Sequence, residues 1–391
     1  MILIDVTHTA HTEARTGVQR VCRRLCQTFP TPPGGSPITW DPYLGEWRTL
    51  GDDERARLAR EQPGPRRSAS WSWRQRVRGW SGRVLGRTGR GLPAATGLIV
   101  PEIFSPETAA AWPALFTRVQ GPRIALFHDA IALKRPELAP AKTVARFPSY
   151  LRDLLAFDGV AAVSEDSREV LRDWWRWLGV SRTPELVAIS LGVDAPRPDR
   201  ALARATSTPV VLSVGTLEAR KNHLSLFDAC ESLWTRGLSF ELRVIGLAPQ
   251  PKSNPALVRL RQLQASGRSL RYDGAVDDAT LSAAYHECSF SVYPSLMEGF
   301  GLPVLESVSY GKPCVCSARG ALGESARQGG CIALADVEPP TLARAIEALL
   351  SGAPRREALA SEARSRALRS WNDYTSRLAE WMLGLNVRRT S

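Results

Sequence analysis

Pro294-Ser-Leu-Met-Glu298-Gly299-Phe300-Gly301-Leu302-Pro303-Val-Leu-Glu306 reads as the end of a strand, a glycine loop and the start of a helix. Phe290, Val292 and Tyr293 suit a short buried strand that Pro294-Ser295 ends. Gly299 and Gly301 let the backbone approach a ligand closely or adopt positive φ. Pro303 fits the first helical turn, where its missing N–H costs nothing. The helix start therefore presents N–H donors without intrahelical partners and a partial positive charge, which suits an anion. Glu298 and Glu306 flank this loop with acceptors for hydroxyl groups. Taken singly, a blander reading is equally open: Glu306 stabilises the positive helix end and Glu298 is a solvated loop residue.

The same strand–loop–helix alternation runs outward in both directions. Apolar runs bounded by breakers at Ile2–Val6, Gly97–Val100, Arg123–Phe127, Gly159–Val163 and Val187–Ser190 predict buried parallel strands in a first half. Helices are expected at Val18–Thr28, Lys142–Ala156 and Ser167–Trp177, with a turn-rich break over Pro30–Pro37 and a stretch from Trp40 to Gly97 that is hard to read and expected to be helical in part. A second series has strands at Val210–Val214, Glu241–Ile245, Leu270–Tyr272, Ser289–Tyr293 and Pro313–Ser317. Its helices are expected at His223–Arg236, Asn254–Ser266, Asp277–Glu287, Val304–Tyr310 and Pro340–Leu350. The fold class is α/β, with two doubly wound parallel sheets. The expected domains are 1–194 and 209–370, joined by a linker at 195–208, with 371–391 a helix crossing back to the first domain. Ligands of such sheets bind beyond the carboxyl ends of the strands.

A length of 391 residues suits two domains, and the hydrophobic fraction of 43% is that of a soluble globular protein. The net charge of +12 points to anionic partners. Seven cysteines without a CxxC read as reduced thiols, most of them buried as small hydrophobes. The strand-like start lacks a signal peptide's charged and long apolar regions, and no run approaches the ~20 apolar residues of a membrane span. The expected location is the cytoplasm.

Further pieces sit where strands end. Gly215-Thr216-Leu217-Glu218-Ala219-Arg220-Lys221-Asn222 follows one strand and precedes a helix. Arg220 suits two oxygens of a diphosphate at once and Lys221 acts as a point charge; a solvated surface pair is the alternative. His128, in Phe127-His128-Asp129, also follows a strand. Gly17, in Arg15-Thr16-Gly17-Val18, starts a helix and is either a plain helix-start glycine or a point of close approach to phosphate or sugar. Ser164 and Asp277 read as helix caps. No cluster has metal-ligand spacing.

Together these segments resemble the retaining glycosyltransferases of family 4, which have the GT-B fold. The most specific element is Glu298 and Glu306 with seven residues between them. Thr216–Asn222 resembles the version found in bacterial mannosyltransferases of surface-polysaccharide synthesis. Leu191-Gly192-Val193-Asp194 resembles the family's Asn-Gly-Val-Asp, with leucine in place of asparagine. The resemblance implies two Rossmann-like domains facing across a cleft, and a nucleotide-diphosphate sugar, GDP-mannose favoured, as donor. It also implies no metal or other cofactor. Glu306 would accept from the ribose hydroxyls and Glu298 would contact the transferred sugar. Arg220 and Lys221 would neutralise the leaving diphosphate with help from the backbone of Gly299, Phe300, Gly301 and Leu302. His128 would sit near the donor sugar, and Gly17 and Gly215 would line the donor site. Thr216 stands where many members carry arginine, so Arg220 must supply the second cation from another position. Such enzymes are thought to lack a protein nucleophile: the leaving diphosphate takes the acceptor's proton on the same face of the sugar.

The implied reaction transfers a hexose to a lipid-linked oligosaccharide or surface-polysaccharide acceptor. A sugar-nucleotide epimerase of similar architecture and an inactive sugar-nucleotide-binding protein are the alternatives. Between Glu61 and Glu102 there is no acidic residue, while Arg66, Arg67, Arg74, Arg76, Arg78, Arg83, Arg87 and Arg90 accompany Trp71, Trp73 and Trp80. This stretch favours peripheral attachment to an anionic membrane surface over a plain solvated loop, and either over single-stranded nucleic acid.

Overall fold

A computed structural model of the chain describes every residue except 15, 61–63, 65–68, 87–90, 195, 197–207, 251 and 386–391. The chain divides into two units, Met1–Gly192 with Trp371–Ser391, and Val193–Ser370. The division falls after Gly192, and Val193 forms a parallel bridge with Ser370. Of the expected linker only Pro196 and Thr208 are among the described residues, and Arg15, Arg66, Arg67, Arg87 and Arg90 lie outside them.

Among the described residues the first unit holds seven strands: β1 (Ile2–Asp5), β2 (Gly35–Asp41), β3 (Glu46–Thr49), β4 (Gly97–Val100), β5 (Arg123–Phe127), β6 (Gly159–Ala162) and β7 (Glu185–Ala188). Their order is β3-β2-β1-β4-β5-β6-β7, parallel throughout except for the antiparallel β2–β3 pair. Every residue of β1, β4, β5 and β6 is buried, as helices on both faces of a parallel sheet require. Those helices are α1 (Gly17–Thr28), α2 (Asp52–Ala59), α3 (Trp73–Val84), α4 (Pro106–Ala110), α5 (Trp112–Phe116), α6 (Ile131–Lys134), α7 (Ala141–Asp153) and α8 (Glu165–Trp177).

Among the described residues the second unit has six parallel strands: β8 (Val210–Val214), β9 (Glu241–Ile245), β10 (Leu270–Gly274), β11 (Phe290–Tyr293), β12 (Cys314–Ser317) and β13 (Cys331–Leu334), in the order β10-β9-β8-β11-β12-β13. Its helices are α9 (His223–Thr235), α10 (Pro255–Ala265), α11 (Asp278–Glu287), α12 (Leu302–Ser309), α13 (Gly320–Ala326), α14 (Pro339–Ser351) and α15 (Ala353–Ser365). The chain then returns to the first unit as α16 (Trp371–Leu383), whose Thr375 hydroxyl donates to the Thr28 carbonyl at 2.8 Å.

One expectation is corrected. The break at Pro30–Pro37 gives way to β2 from Gly35 onward. Pro37 is tolerated because it lies beyond the segment Ile38–Asp41 that pairs with β3. The stretch from Trp40 to Gly97, expected to be helical in part, contains β3 and the helices α2 and α3. As read from the sequence, Ser164 caps α8 by accepting from Ser167 N–H at 3.2 Å, and Asp277 caps α11 through Thr280 N–H at 2.8 Å.

In both sheets the strand order reverses once. The crevice at that reversal lies between the loops after β1 and β4 in the first unit, and between those after β8 and β11 in the second. Such points are where doubly wound sheets bind ligands.

Candidate active site

The reversal point of the second sheet joins the two segments singled out in the sequence. After β8 the chain passes Gly215 and makes a short 3-10 turn at Ala219–Lys221. Asn222, at φ 55°, then turns it into α9. After β11 comes the loop to Gly301. The Arg220 carbonyl ties the loops together, accepting from Leu296 N–H at 2.8 Å, and Ser295 Oγ lies 3.0 Å from the same oxygen.

Glu298 is the hub. Its Oε1 accepts from Lys221 Nζ at 2.5 Å, Ser295 Oγ at 2.5 Å and Tyr293 Oη at 2.9 Å, and its Oε2 accepts from Arg220 Nη1 at 2.6 Å. Burial alone would raise its pKa; Lys221 first, then Arg220, outweigh that and hold it at about 2. Burial lowers the Lys221 pKa against the pull of Glu298. Arg220 is pushed the other way: Glu298 raises it despite burial. Lys221 also donates to Tyr293 Oη and lies 4.8 Å from that ring's centre. Tyr293 stays a neutral phenol, its pKa raised by burial and by Glu298. Arg220 keeps 24% of its side chain exposed and Lys221 only 10%, so a ligand reaches the guanidinium first.

Gly301 is the residue of the glycine loop that needs its lack of side chain. It precedes α12 at φ 96°, and a Cβ there would stand 2.8 Å from Leu322 Cδ2. No side chain caps α12. The Phe300 carbonyl is pinned by Ser325 Oγ at 2.8 Å, so the Gly299–Leu302 backbone is held from α13. Glu306, one turn into α12, is 7% exposed and accepts from Tyr285 Oη at 3.0 Å.

Three participants escaped sequence reading. Tyr285 on α11 holds Glu306. Gly246, just after β9, has φ 152°, and a Cβ there would lie 1.9 Å from the Gly215 carbonyl oxygen, so the β8 and β9 ends meet backbone to backbone. His223, first residue of α9, is buried, its Nδ1 has no hydrogen-bond partner among the described residues, and burial followed by Lys221 lowers its pKa to about 3. It therefore remains neutral beside the cations. Only the glycine-after-strand pattern could have signalled Gly246; nothing in spacing signals the other two.

Gly17 and His128 belong to the first unit. Gly17 is exposed at the start of α1, with nothing among the described residues within 4 Å of where its Cβ would be; the preceding Thr16 N–H donates to Gln19 Oε1 at 3.2 Å. His128 follows β5, is 6% exposed, and donates Nε2–H to the Pro101 carbonyl at 2.6 Å. Burial lowers its pKa. At this sheet's reversal point Glu102, after β4, accepts from His8 N–H and Thr9 N–H, each at 2.7 Å. Asp5, the last residue of β1, takes Thr7 N–H at 2.9 Å.

Residues 196–366 match the family described as Glycosyl transferases group 1. The serotype-specific mannosyltransferase WbdA of Escherichia coli is 25% identical over 344 residues, covering 80% of this chain. The chain spans only 38% of WbdA's own length. A GDP-mannose-dependent alpha-(1-6)-phosphatidylinositol dimannoside mannosyltransferase of Mycobacterium tuberculosis is 27% identical over 241 residues, 58% of this chain and 59% of that one. Among solved structures, HepE of Anabaena, in complex with UDP and glucose, superposes with a TM-score of 0.70 at 14% identity over 98% of this chain and 99% of that one. The chain has the GT-B fold of the glycosyltransferases and resembles bacterial mannosyltransferases.

Proposed function

We propose that the protein is a metal-independent retaining glycosyltransferase that moves a hexose, mannose from GDP-mannose, onto a lipid-linked oligosaccharide or surface-polysaccharide acceptor. The observation that carries this reading is the convergence of Arg220 and Lys221 on Glu298 at the reversal point of the second sheet, beside the uncapped start of α12. Two fixed cations and a helix start suit a diphosphate. A carboxylate on either side of the loop suits sugar hydroxyls: Glu298 those of the transferred hexose, Glu306 those of the ribose. Arg220 and Lys221 would stabilise charge as the diphosphate leaves, so catalysis is placement and electrostatics. The choice of mannose and guanine rests on the mannosyltransferase relatives.

The test is a thermal-shift screen of the purified chain against GDP, UDP, ADP and dTDP sugars, followed by analysis of the anomeric configuration of the product. A shift confined to GDP-mannose and an α-linked product support the reading. A response to UDP sugars alone replaces the donor. Conversion of a free sugar nucleotide to its epimer without transfer overturns the reaction.

A further inference from the structure

We propose that α3 is an interfacial anchor: it lies in the plane of an anionic membrane surface, with Trp73, Val77, Trp80 and Val84 sunk to the boundary between headgroups and acyl chains. These four side chains are 69%, 56%, 68% and 72% exposed. At about 100° per residue they fall within an arc of about 60° on the helix. The opposite arc carries Gln75, Gly79 and Gly82, and it is the packed one. A Cβ on Gly79 would lie 2.8 Å from Tyr43 Cβ, and Gln75 Nε2 donates to Glu54 Oε1 at 3.0 Å. The apolar stripe therefore points straight away from the body of its unit.

The charges beside the stripe select the partner. Arg76 and Arg83 border it on one side and Arg74 on the other, Arg78 lies further round towards the packed arc, and α3 contains no acidic residue. A narrow apolar strip with tryptophans between two basic margins matches an interfacial helix on anionic lipid. A protein partner's apolar groove would not favour cations along both margins. Single-stranded nucleic acid stacks on aromatic faces, and half of this stripe is valine. Among the described residues no helix is long and apolar enough to cross a membrane, so contact of this kind is peripheral.

The anchor is fastened to the first unit's reversal point. Trp71, two residues before α3, stacks on His11 with ring centres 3.7 Å apart. His11 Nε2 lies 2.9 Å from Glu54 Oε1, the atom that Gln75 also reaches. His11 ends the loop that leaves β1 and carries the Thr9 N–H bonded to Glu102. An acceptor whose apolar tail stays in the bilayer would thus be met by this loop at the lipid surface; that consequence, unlike the anchoring, rests on the glycosyl-transfer reading.

The experiment is co-sedimentation of the full chain, without nucleotide, with vesicles of phosphatidylcholine alone or mixed with phosphatidylglycerol. Binding to the anionic vesicles, weakened by salt, is expected. The double variant Trp73→Ser/Trp80→Ser should lose at least tenfold in partitioning while keeping the wild-type melting temperature. Arg74→Ser/Arg78→Ser should weaken binding and reduce its salt dependence. Equal sedimentation of wild type and the tryptophan variant overturns the anchor, as does failure of the wild type to bind either vesicle. Tryptophan-dependent self-association or oligonucleotide binding without vesicle binding overturns it equally. A protein that binds vesicles but no sugar nucleotide keeps the anchor and loses the proposed function; the converse result does the reverse.

Discussion

Lys221 Nζ and Glu298 Oε1 lie 2.5 Å apart although 77 residues separate them in the chain. The contact bridges the loops after β8 and β11 across the reversal point of the second sheet. It holds a cation and a carboxylate in one buried cluster with Arg220, Tyr293 and Ser295, so the charges are in place before any ligand arrives. Preorganisation of this kind makes charge stabilisation effective, because nothing must reorient during the reaction.

Lys221→Met removes one charge-stabilising group, and turnover should fall by about 10²–10³. It also strips Glu298 of its first partner, so stability to urea should fall by about 3 kcal/mol, the low end for breaking a buried pair because Arg220 remains. Adding Glu298→Gln should restore much of that stability and none of the turnover. Near-normal turnover of the single variant would remove Lys221 from the site.

Tyr285→Phe tests whether Glu306 is a positioned ligand. The lost hydroxyl bonds Glu306 at 3.0 Å, and hydrogen bonds to charged groups contribute about 1.5–3 kcal/mol. Calorimetry should show nucleoside diphosphate affinity weakened about tenfold, and the melting temperature should fall by a few degrees, because the buried Glu306 carboxyl loses a partner. Equal affinity in wild type and variant would mean that Glu306 binds nothing through this orientation.

How legible the molecule was follows from where its signals are local. The strands of β1, β4, β5, β8 and β11 are short apolar runs between breakers, and a sheet buried on both faces demands such runs. The Glu298–Glu306 loop and the Arg220-Lys221 pair are each contiguous in the chain, so the segments stood out in sequence; that Arg220 and Lys221 both reach Glu298 is visible only in the fold. β13, Cys331–Leu334, was not expected, since four residues after two glycines show no periodicity. β2 hides behind Gly35 and Pro37, residues that forecast a turn until the short reach of β3 is known. Tyr285 and His223 act through distance in space, which no spacing encodes. On α3 the arginines were conspicuous in sequence, whereas the alignment of Trp73, Val77, Trp80 and Val84 emerges only once the helix and its packed face are known.

Gly246→Ala should separate backbone packing from side-chain chemistry. The added Cβ would meet the Gly215 carbonyl oxygen at 1.9 Å, at a φ of 152° that side chains rarely tolerate. Strain and overpacking together should cost at least about 3 kcal/mol in urea unfolding. Because Gly215 leads into the Arg220-Lys221 turn, nucleotide affinity should fall as well. A variant within about 0.5 kcal/mol of wild type would show that the two strand ends can part without loss.

Asp5 gives the fold a pH dependence of unusual sign for a carboxylate. It is 1% exposed, and burial first, then the neighbouring Glu102, raises its pKa from 3.8 to about 7. Between those values the folded chain holds a proton that the unfolded chain releases, so stability declines as pH rises. The contribution is fully present below about pH 4 and is lost as pH passes 7, on the order of 4 kcal/mol across the window. Asp5→Asn keeps the shape and cannot ionise; it should make the change in urea-unfolding free energy between pH 5 and pH 8 less negative than in the wild type, while Glu102, raised by burial, and the buried His128 and His223, both lowered by burial, act in both proteins. The same slope in both proteins would place the titration elsewhere.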